Sequence, residues 1–85
     1  MTLPTIHTNG TSARELARGY SNARLAVQEA IEILSKVEFN ARDYYPQGQD
    51  AWNAAVRERS DTFDKLRSVT GELYALEEHC CKSIK

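Results

Sequence analysis

Apolar residues recur along the first half of the chain at the spacing of an α-helix. Between residues 12 and 38 the steps alternate between four and three positions, a heptad pattern, at Leu16, Tyr20, Ala23, Val27, Ala30, Leu34 and Val37. Ser12 stands just before this pattern and Glu15 follows three residues later, which is the spacing of a capping box. The first half therefore predicts a helix over about residues 12–38.

A second pattern of the same period covers about residues 50–83. Its positions are Trp52, Val56, Arg59, Phe63, Leu66, Val69 or Thr70, Leu73, Leu76 and Cys80. Asp50 stands at its start, where a carboxylate is expected to cap the free amides of the helix. No segment alternates in the way of a β-strand. The fold class is therefore all-α, and because the intervening loop at about 39–49 is short, we expect an antiparallel two-helix hairpin.

The predicted hairpin carries more apolar surface than one neighbouring helix covers. Several large apolar residues lie off the two seams, namely Ile31, Ile33, Trp52 and Tyr74. A chain of 85 residues is also small for a self-sufficient core. The sequence therefore predicts that hairpins complete one another's core in a homo-oligomeric helical bundle. A monomer of low stability is the alternative.

Residues 1–11 show no apolar periodicity and contain Pro4 and Gly10, so they predict an N-terminal arm. The second helix is the longer one, and the arm is expected to lie against its overhanging end near Leu73 to Cys80. Cys80 and Cys81 are adjacent, a position that disfavours a disulfide between them. We expect one buried thiol and one partly exposed thiol.

Composition narrows the classes of partner. The net charge of −1 at pH 7 gives no bulk attraction to nucleic acid, so neither a DNA nor an RNA duplex is expected as a partner. No run of about 18 apolar residues is present, so no membrane partner is expected. The first ten residues lack the charged and apolar regions of a signal peptide. We therefore expect a cytoplasmic protein.

The segment that leads into the first helix predicts an anion site. Its candidate ligand-binding residues are His7, Asn9, Thr11, Ser12, Arg14 and Arg18. The free amides of a helix N-terminus favour anions, and two guanidinium groups one turn apart supply a fork for phosphate. The alternative is that the hydroxyls only cap the helix while both arginines are solvated or pair with glutamates of the second helix.

The loop "FNARDYYPQGQ" adds Arg42, Tyr44 and Tyr45 to the candidate ligand-binding residues. Tyrosine rings offer faces on which a base can stack, and Arg42 offers a partner for phosphate. The alternative is that the tyrosines close the end of the core. The loop and the arm lie at opposite ends of a hairpin, so they can share a pocket only if a second subunit runs antiparallel to the first.

No pattern of catalytic residues is present. The chain lacks GxSxG, HExxH, a P-loop and a suitably spaced Cys/His pair. The adjacent His79, Cys80 and Cys81 do not have the spacing of metal ligands. We therefore expect a protein that is not an enzyme and that takes no cofactor and no metal.

Two short motifs carry a resemblance to a known group of proteins. "HTNGTS" at residues 7–12 and "RDYYPQG" at residues 42–48, about thirteen residues together, resemble the opening and the corner of a family of small phage-encoded helical-hairpin proteins. In size and architecture the chain is also similar to phage sponge proteins. These are helical oligomers that sequester nucleotide second messengers of bacterial defence systems such as CBASS and Thoeris.

The resemblance of the motifs implies a phage or prophage origin, and the similarity in architecture to sponge proteins implies an anti-defence function in the cytoplasm of an infected bacterial host. The expected ligand is a phosphate-bearing nucleotide signal, either a cyclic oligonucleotide or an ADP-ribose derivative, held at inter-subunit pockets. Two alternatives stay open. One is a protein–protein inhibitor or assembly module with an exposed apolar stripe along Val56, Phe63, Leu73 and Leu76; the other is a structural component of the virion.

Overall fold

The chain folds into a helical hairpin, which confirms the predicted fold class. The structure is a computed structural model and describes residues 1–84. Helix α1 spans Ala13–Ser35 and helix α2 spans Gln49–Lys82, with short 3-10 turns at Ala41–Asp43 and Tyr45–Gln47 between them. The described residues contain no strand. The molecule is a rod with extents of 60 × 22 × 17 Å.

Helix α1 begins where the sequence predicts and ends earlier. The Ser12 hydroxyl accepts a hydrogen bond of 3.1 Å from the Glu15 amide, so the predicted cap forms. The predicted end at about residue 38 is wrong, because α1 stops at Ser35 and the amides of Lys36 and Val37 turn back onto the carbonyls of Ile33 and Leu34. The chain leaves the helix there so that Phe39 can pack against α2.

Helix α2 begins at a glycine cap. The N-cap residue is Gly48, with φ 101° and ψ 166° and no side-chain cap bond. The prediction that Asp50 caps α2 is therefore wrong, although Asp50 lies in the first turn, where its charge favours the helix dipole. Gly48 takes this role because a positive φ is accessible to glycine at little cost.

The face that α1 turns towards α2 differs from the predicted seam. Leu16, Tyr20, Val27 and Leu34 are partly buried as expected, but Ala23, Ala30 and Val37 are exposed. Arg24 and Ile31 are partly buried in their place. The buried core of the hairpin is thin and consists of Ala13, Ala17, Phe63 and Cys80.

Two contacts between the helices fix their antiparallel direction. Near the open end, Arg24 donates to the Glu77 carboxylate at 2.7 Å. Near the corner, Arg59 donates to the Leu34 carbonyl at 3.4 Å. Positions further along α1 therefore meet positions earlier in α2, as in a hairpin.

The arm is attached to the end of α2. His79 Nε2 lies 2.8 Å from the Pro4 carbonyl oxygen, and because a carbonyl only accepts, the imidazole nitrogen is the donor. This contact lies in the region where the arm was expected. Cys80 is buried and Cys81 is exposed, both as free thiols, which confirms the prediction for the pair. In the part of the chain that the structure describes, neither helix is long and apolar enough to cross a membrane.

Candidate functional site

A groove of about 700 Å³ opens at the arm end of the rod. Three parts of the chain form its walls: the arm, the first turn of α1 and the residues that directly follow α2. Its polar lining comes from His7, Thr8, Ser12 and Arg14, and Ser83 contributes from the end of the chain after α2. Ile6, Ala13 and Ile84 supply apolar lining. The groove therefore offers donors beside apolar surface, a combination that suits a small organic anion.

A tight turn holds the arm wall of the groove. The Gly10 amide donates to the His7 carbonyl at 3.1 Å, and the imidazole of His7 folds back over Gly10. A β-carbon at position 10 would lie 2.8 Å from His7 Nε2, closer than such contacts occur. Glycine at this position therefore allows His7 to take its place beside the groove.

The floor of the groove meets the N-terminus of α1. Ser12 uses its hydroxyl on the Glu15 amide, which leaves the amides of the first turn before it without an intrahelical acceptor. Arg14 is exposed, and within residues 1–84 no carboxylate forms an ion pair with it. The free backbone amides at the N-terminus of α1 and the Arg14 guanidinium give the groove a local positive character, although the net charge of the chain is −1.

The structure brings together some of the predicted site residues and not others. His7, Ser12 and Arg14 line one groove. Asn9 and Thr11 are exposed in the same turn without lining it, and Arg18 is exposed one turn further along α1. The alternative in which Arg14 or Arg18 pairs with a glutamate of α2 does not occur within residues 1–84, and Glu77 bonds Arg24 instead. Sequence reasoning missed Ile6, Thr8, Ser83 and Ile84, of which only Thr8 lies inside a motif that stood out.

The corner residues lie at the other end of the rod, beyond the whole length of α1. Arg42 is exposed and Tyr45 is 62% exposed. Tyr44 instead joins an aromatic cluster: its ring centroid lies 5.8 Å from that of Phe39 and 5.6 Å from that of Trp52. Phe39 and Trp52 complete the cluster at 4.8 Å. This geometry favours the alternative in which Tyr44 closes the end of the core.

Arg59, the one charged residue in the predicted row of α2, contacts both helices and the aromatic residues near the corner. Its guanidinium lies 4.8 Å from the Phe39 ring centroid and 4.9 Å from the Phe63 ring centroid. It also donates to the Leu34 carbonyl at the end of α1. A planar cation between two rings contributes both packing and cation–π attraction, which the sequence pattern alone did not reveal.

Three groups have a clearly shifted pKa, namely Arg24, Glu77 and Cys80, and all three belong to the hairpin rather than to the groove; the hydrogen bond to Glu77 raises the pKa of Arg24. The hydrogen bond and charge of Arg24 lower the pKa of the Glu77 carboxyl despite its partial burial. Burial raises the pKa of the Cys80 thiol, and the neighbouring Cys81 adds to the effect. A thiol with a raised pKa is a poor nucleophile.

The apolar stripe expected of a protein–protein module is not exposed as a whole. Val56 is 44% exposed, but Phe63 is buried and both Leu73 and Leu76 are partly buried. Of this stripe, Val56 is open to a partner, Leu73 and Leu76 are open in part, and Phe63 is closed.

Comparison with known proteins gives no relative. No family model, no curated protein and no solved structure matches the chain. The resemblance to small phage proteins therefore stays a prediction.

Proposed function

We propose that this chain is a non-enzymatic binding protein that holds a phosphate-bearing small molecule at the arm end of a homo-oligomeric hairpin. The observation that carries the proposal is the groove in which His7, Ser12 and Arg14 stand beside the open N-terminus of α1. Amides, an imidazole and a guanidinium are the groups that bind phosphate oxygens. Ile6 and Ile84 offer apolar contact for the rest of a nucleotide-sized ligand.

The proposed ligand class is a nucleotide-derived signal, a cyclic oligonucleotide or an ADP-ribose derivative. The size of the groove, about 700 Å³, lies within the range of small-molecule sites. The similarity in size and architecture to phage sponge proteins supports a role in sequestering such a signal during infection. Sequestration requires affinity and no catalytic group, in keeping with the residues at the groove.

Native mass spectrometry of the purified protein with pooled cyclic oligonucleotides and ADP-ribose derivatives tests the proposal. We expect one compound to be retained at a simple ratio to the subunit. Arg14→Ala should then weaken its binding by about ten- to a hundredfold, the usual loss for a hydrogen bond to a charged group. Arg57→Ala is the matched control, because Arg57 is an exposed arginine of α2 outside the groove.

Two results would contradict the proposal. One is a protein that retains nothing from the pool. The other is a retained ligand whose affinity falls equally with Arg14→Ala and with Arg57→Ala, since a general loss of positive charge would then explain the effect.

A further inference from the structure

The hairpin exposes a second apolar face along one side of the rod. On α1 this row is spaced by three and four residues and consists of Ala23, Ala26, Ala30 and Ile33, with Val37 continuing it past the helix end. All five are exposed, Ile33 by 58% and Val37 by 55%. The row lies about 100° around the helix from the residues that contact α2.

Helix α2 continues the same face. Its row has steps of four and three and consists of Thr62, Leu66, Val69, Leu73 and Leu76. Thr62 and Val69 are exposed and the three leucines are only partly buried. A shallow groove of about 330 Å³ has both Val37 and Thr62 in its lining, so the two rows lie on one side of the rod. We call these ten residues the second apolar face.

The chain exposes enough surface beyond that of a compact monomer for a second chain to cover this face. The chain exposes 6338 Å², whereas a compact monomer of its mass exposes roughly 5,100 Å². The difference of roughly 1,200 Å² exceeds the roughly 800 Å² per partner that a stable protein–protein interface buries. The thin core of the hairpin gives the same indication.

We propose that the second apolar face is the interface with a second copy of this chain. In this interface the two α1 helices pack against each other and run antiparallel. Helix α1 then has two neighbours at about a right angle, its own α2 and the α1 of the second copy, as in a four-helix bundle. Alanines at the centre allow the two α1 helices to approach closely, and Ile33 at one end of the row meets Leu16 and Gly19 of the second copy.

The charges beside the face select the antiparallel direction. Glu15, Glu29 and Lys36 follow the outer edge of the α1 row at heptad spacing, and all three are exposed. An antiparallel pair with its two-fold axis between Ala23 and Ala26 places Glu15 opposite Lys36 of the second copy, twice. A parallel two-fold pair places the outer edge of one α1 against the inner edge of the other, so it forms neither of these ion pairs.

The antiparallel pair also brings the two ends of the rod together. The start of α1, with its groove, comes to lie beside the corner of the second copy, where Arg42 and Tyr45 are exposed. In this arrangement the arm of one copy and the loop of the other copy can line one pocket. The pairing deepens the proposed function, since it names the partner and the element that completes the groove, but it does not depend on which ligand binds.

Sedimentation equilibrium of two matched variants tests the face. Ile33 and Leu25 are exposed apolar residues of α1, at 58% and 53%, but Leu25 lies outside the second apolar face. Ile33→Glu should turn the dimer into a monomer, whereas Leu25→Glu should leave it a dimer. Circular dichroism checks that both variants keep their helices. A monomeric wild-type protein, or an Ile33→Glu variant that associates as well as Leu25→Glu, would overturn the proposal.

Cross-linking in a Cys81→Ser background tests the direction independently of any loss of folding. Cys80 can stay, because it is fully buried. Ala26→Cys should cross-link to the same residue of the second copy, because both lie near the two-fold axis. A mixture of the Glu15→Cys and Lys36→Cys variants should cross-link as a heterodimer. Glu15→Cys alone should not, because its two copies lie roughly 30 Å apart along the axis. Self-cross-linking of Glu15→Cys would show a parallel pair and contradict the proposal.

Failure of this proposal and failure of the proposed function give different results. An antiparallel dimer that retains no ligand contradicts only the binding function. A monomer that binds a ligand in an Arg14-dependent way contradicts the pairing and the homo-oligomeric state, and leaves the binding at the arm end in place.

Discussion

The two ends of the rod are equally conspicuous in sequence and differ in how the fold uses them. At the corner, Phe39, Tyr44 and Trp52 pack into one aromatic cluster, and Arg59 lies over Phe39. At the arm end, Arg14 stays exposed at the rim of an open groove. The comparison shows that aromatic and charged residues in a short connection do not by themselves indicate a binding site. What decides is whether the fold provides them with partners inside the chain.

The largest expected effect separates two adjacent tyrosines of the corner. Tyr44→Ala should lower the free energy of unfolding by about 2 kcal/mol, because it removes aromatic packing from the cluster. Tyr45→Ala should change it by less than about 0.5 kcal/mol, because Tyr45 is 62% exposed. Urea unfolding at one protein concentration measures both. Equal effects of the two substitutions would contradict the packing role assigned to Tyr44.

Two glycines, Gly48 at the N-cap of α2 and Gly71 inside α2, should give effects of opposite sign when they are replaced by alanine. Gly48→Ala should lower the free energy of unfolding by about 1 kcal/mol or more, since alanine is strained at the positive φ of this cap. Gly71→Ala should raise it by about 0.5–1 kcal/mol, since alanine favours the helix and a β-carbon there meets no atom within 4 Å. Thermal and urea unfolding measure the pair. Destabilisation by Gly71→Ala would point to a close neighbour that the hairpin alone lacks.

At the arm end, His79→Ala should release the arm from α2. The lost hydrogen bond to the Pro4 carbonyl is expected to lower the free energy of unfolding by about 1 kcal/mol. The larger change should appear in hydrogen exchange, as faster exchange of the Gly10 amide. Cys81→Ala, at the exposed neighbour of this region, is the control. Unchanged exchange in His79→Ala would show that other contacts hold the arm.

The smallest expected effect is a dependence of the unfolding free energy on acid pH. It arises at the Arg24–Glu77 ion pair, which lies between the two ends of the rod. Because Arg24 lowers the pKa of Glu77 in the folded chain, the pair stabilises the fold above the ordinary glutamate pKa of about 4.3. That contribution is lost as the pH falls through the lower pKa of the folded state. Wild-type protein should therefore lose unfolding free energy in this acid window more steeply than Glu77→Gln, as measured by urea unfolding across pH. Parallel curves for the two proteins would contradict the Arg24–Glu77 ion pair. Glu78→Gln is the control.

The elements that the sequence predicts correctly are those that depend on local patterns. The period of the apolar residues is sufficient for the two helices, and the Ser12 cap depends only on the residues that follow it. Gly48 replaced Asp50 as the cap of α2 because the backbone angle of the turn, rather than a side chain, determines where that helix begins. A helical period also shows that a face is apolar without showing how much of it one neighbour covers. For this reason Ala23 and Ala30 belong to the predicted seam and yet are exposed.

The candidate site likewise contains residues that local sequence patterns predict and residues that only the packing of the helices brings in. His7, Ser12 and Arg14 could be grouped from the sequence because they lie within eight residues of one another. Ser83 and Ile84 could not, because only the antiparallel packing of a longer α2 brings them beside the arm. The role of Arg59 was hidden for a similar reason, since its partners Phe39 and Leu34 belong to the other half of the hairpin.

The most direct test of the central claim, that the arm end binds the ligand and the aromatic corner is structural, is an NMR titration of ¹⁵N-labelled protein. The compound retained in native mass spectrometry is the probe. We predict saturable shifts for the amides of residues 7–14 and for Ser83 and Ile84, and the loss of these shifts in Arg14→Ala. Shifts that centre on Tyr44 and Trp52 while the groove residues stay unchanged would contradict the account.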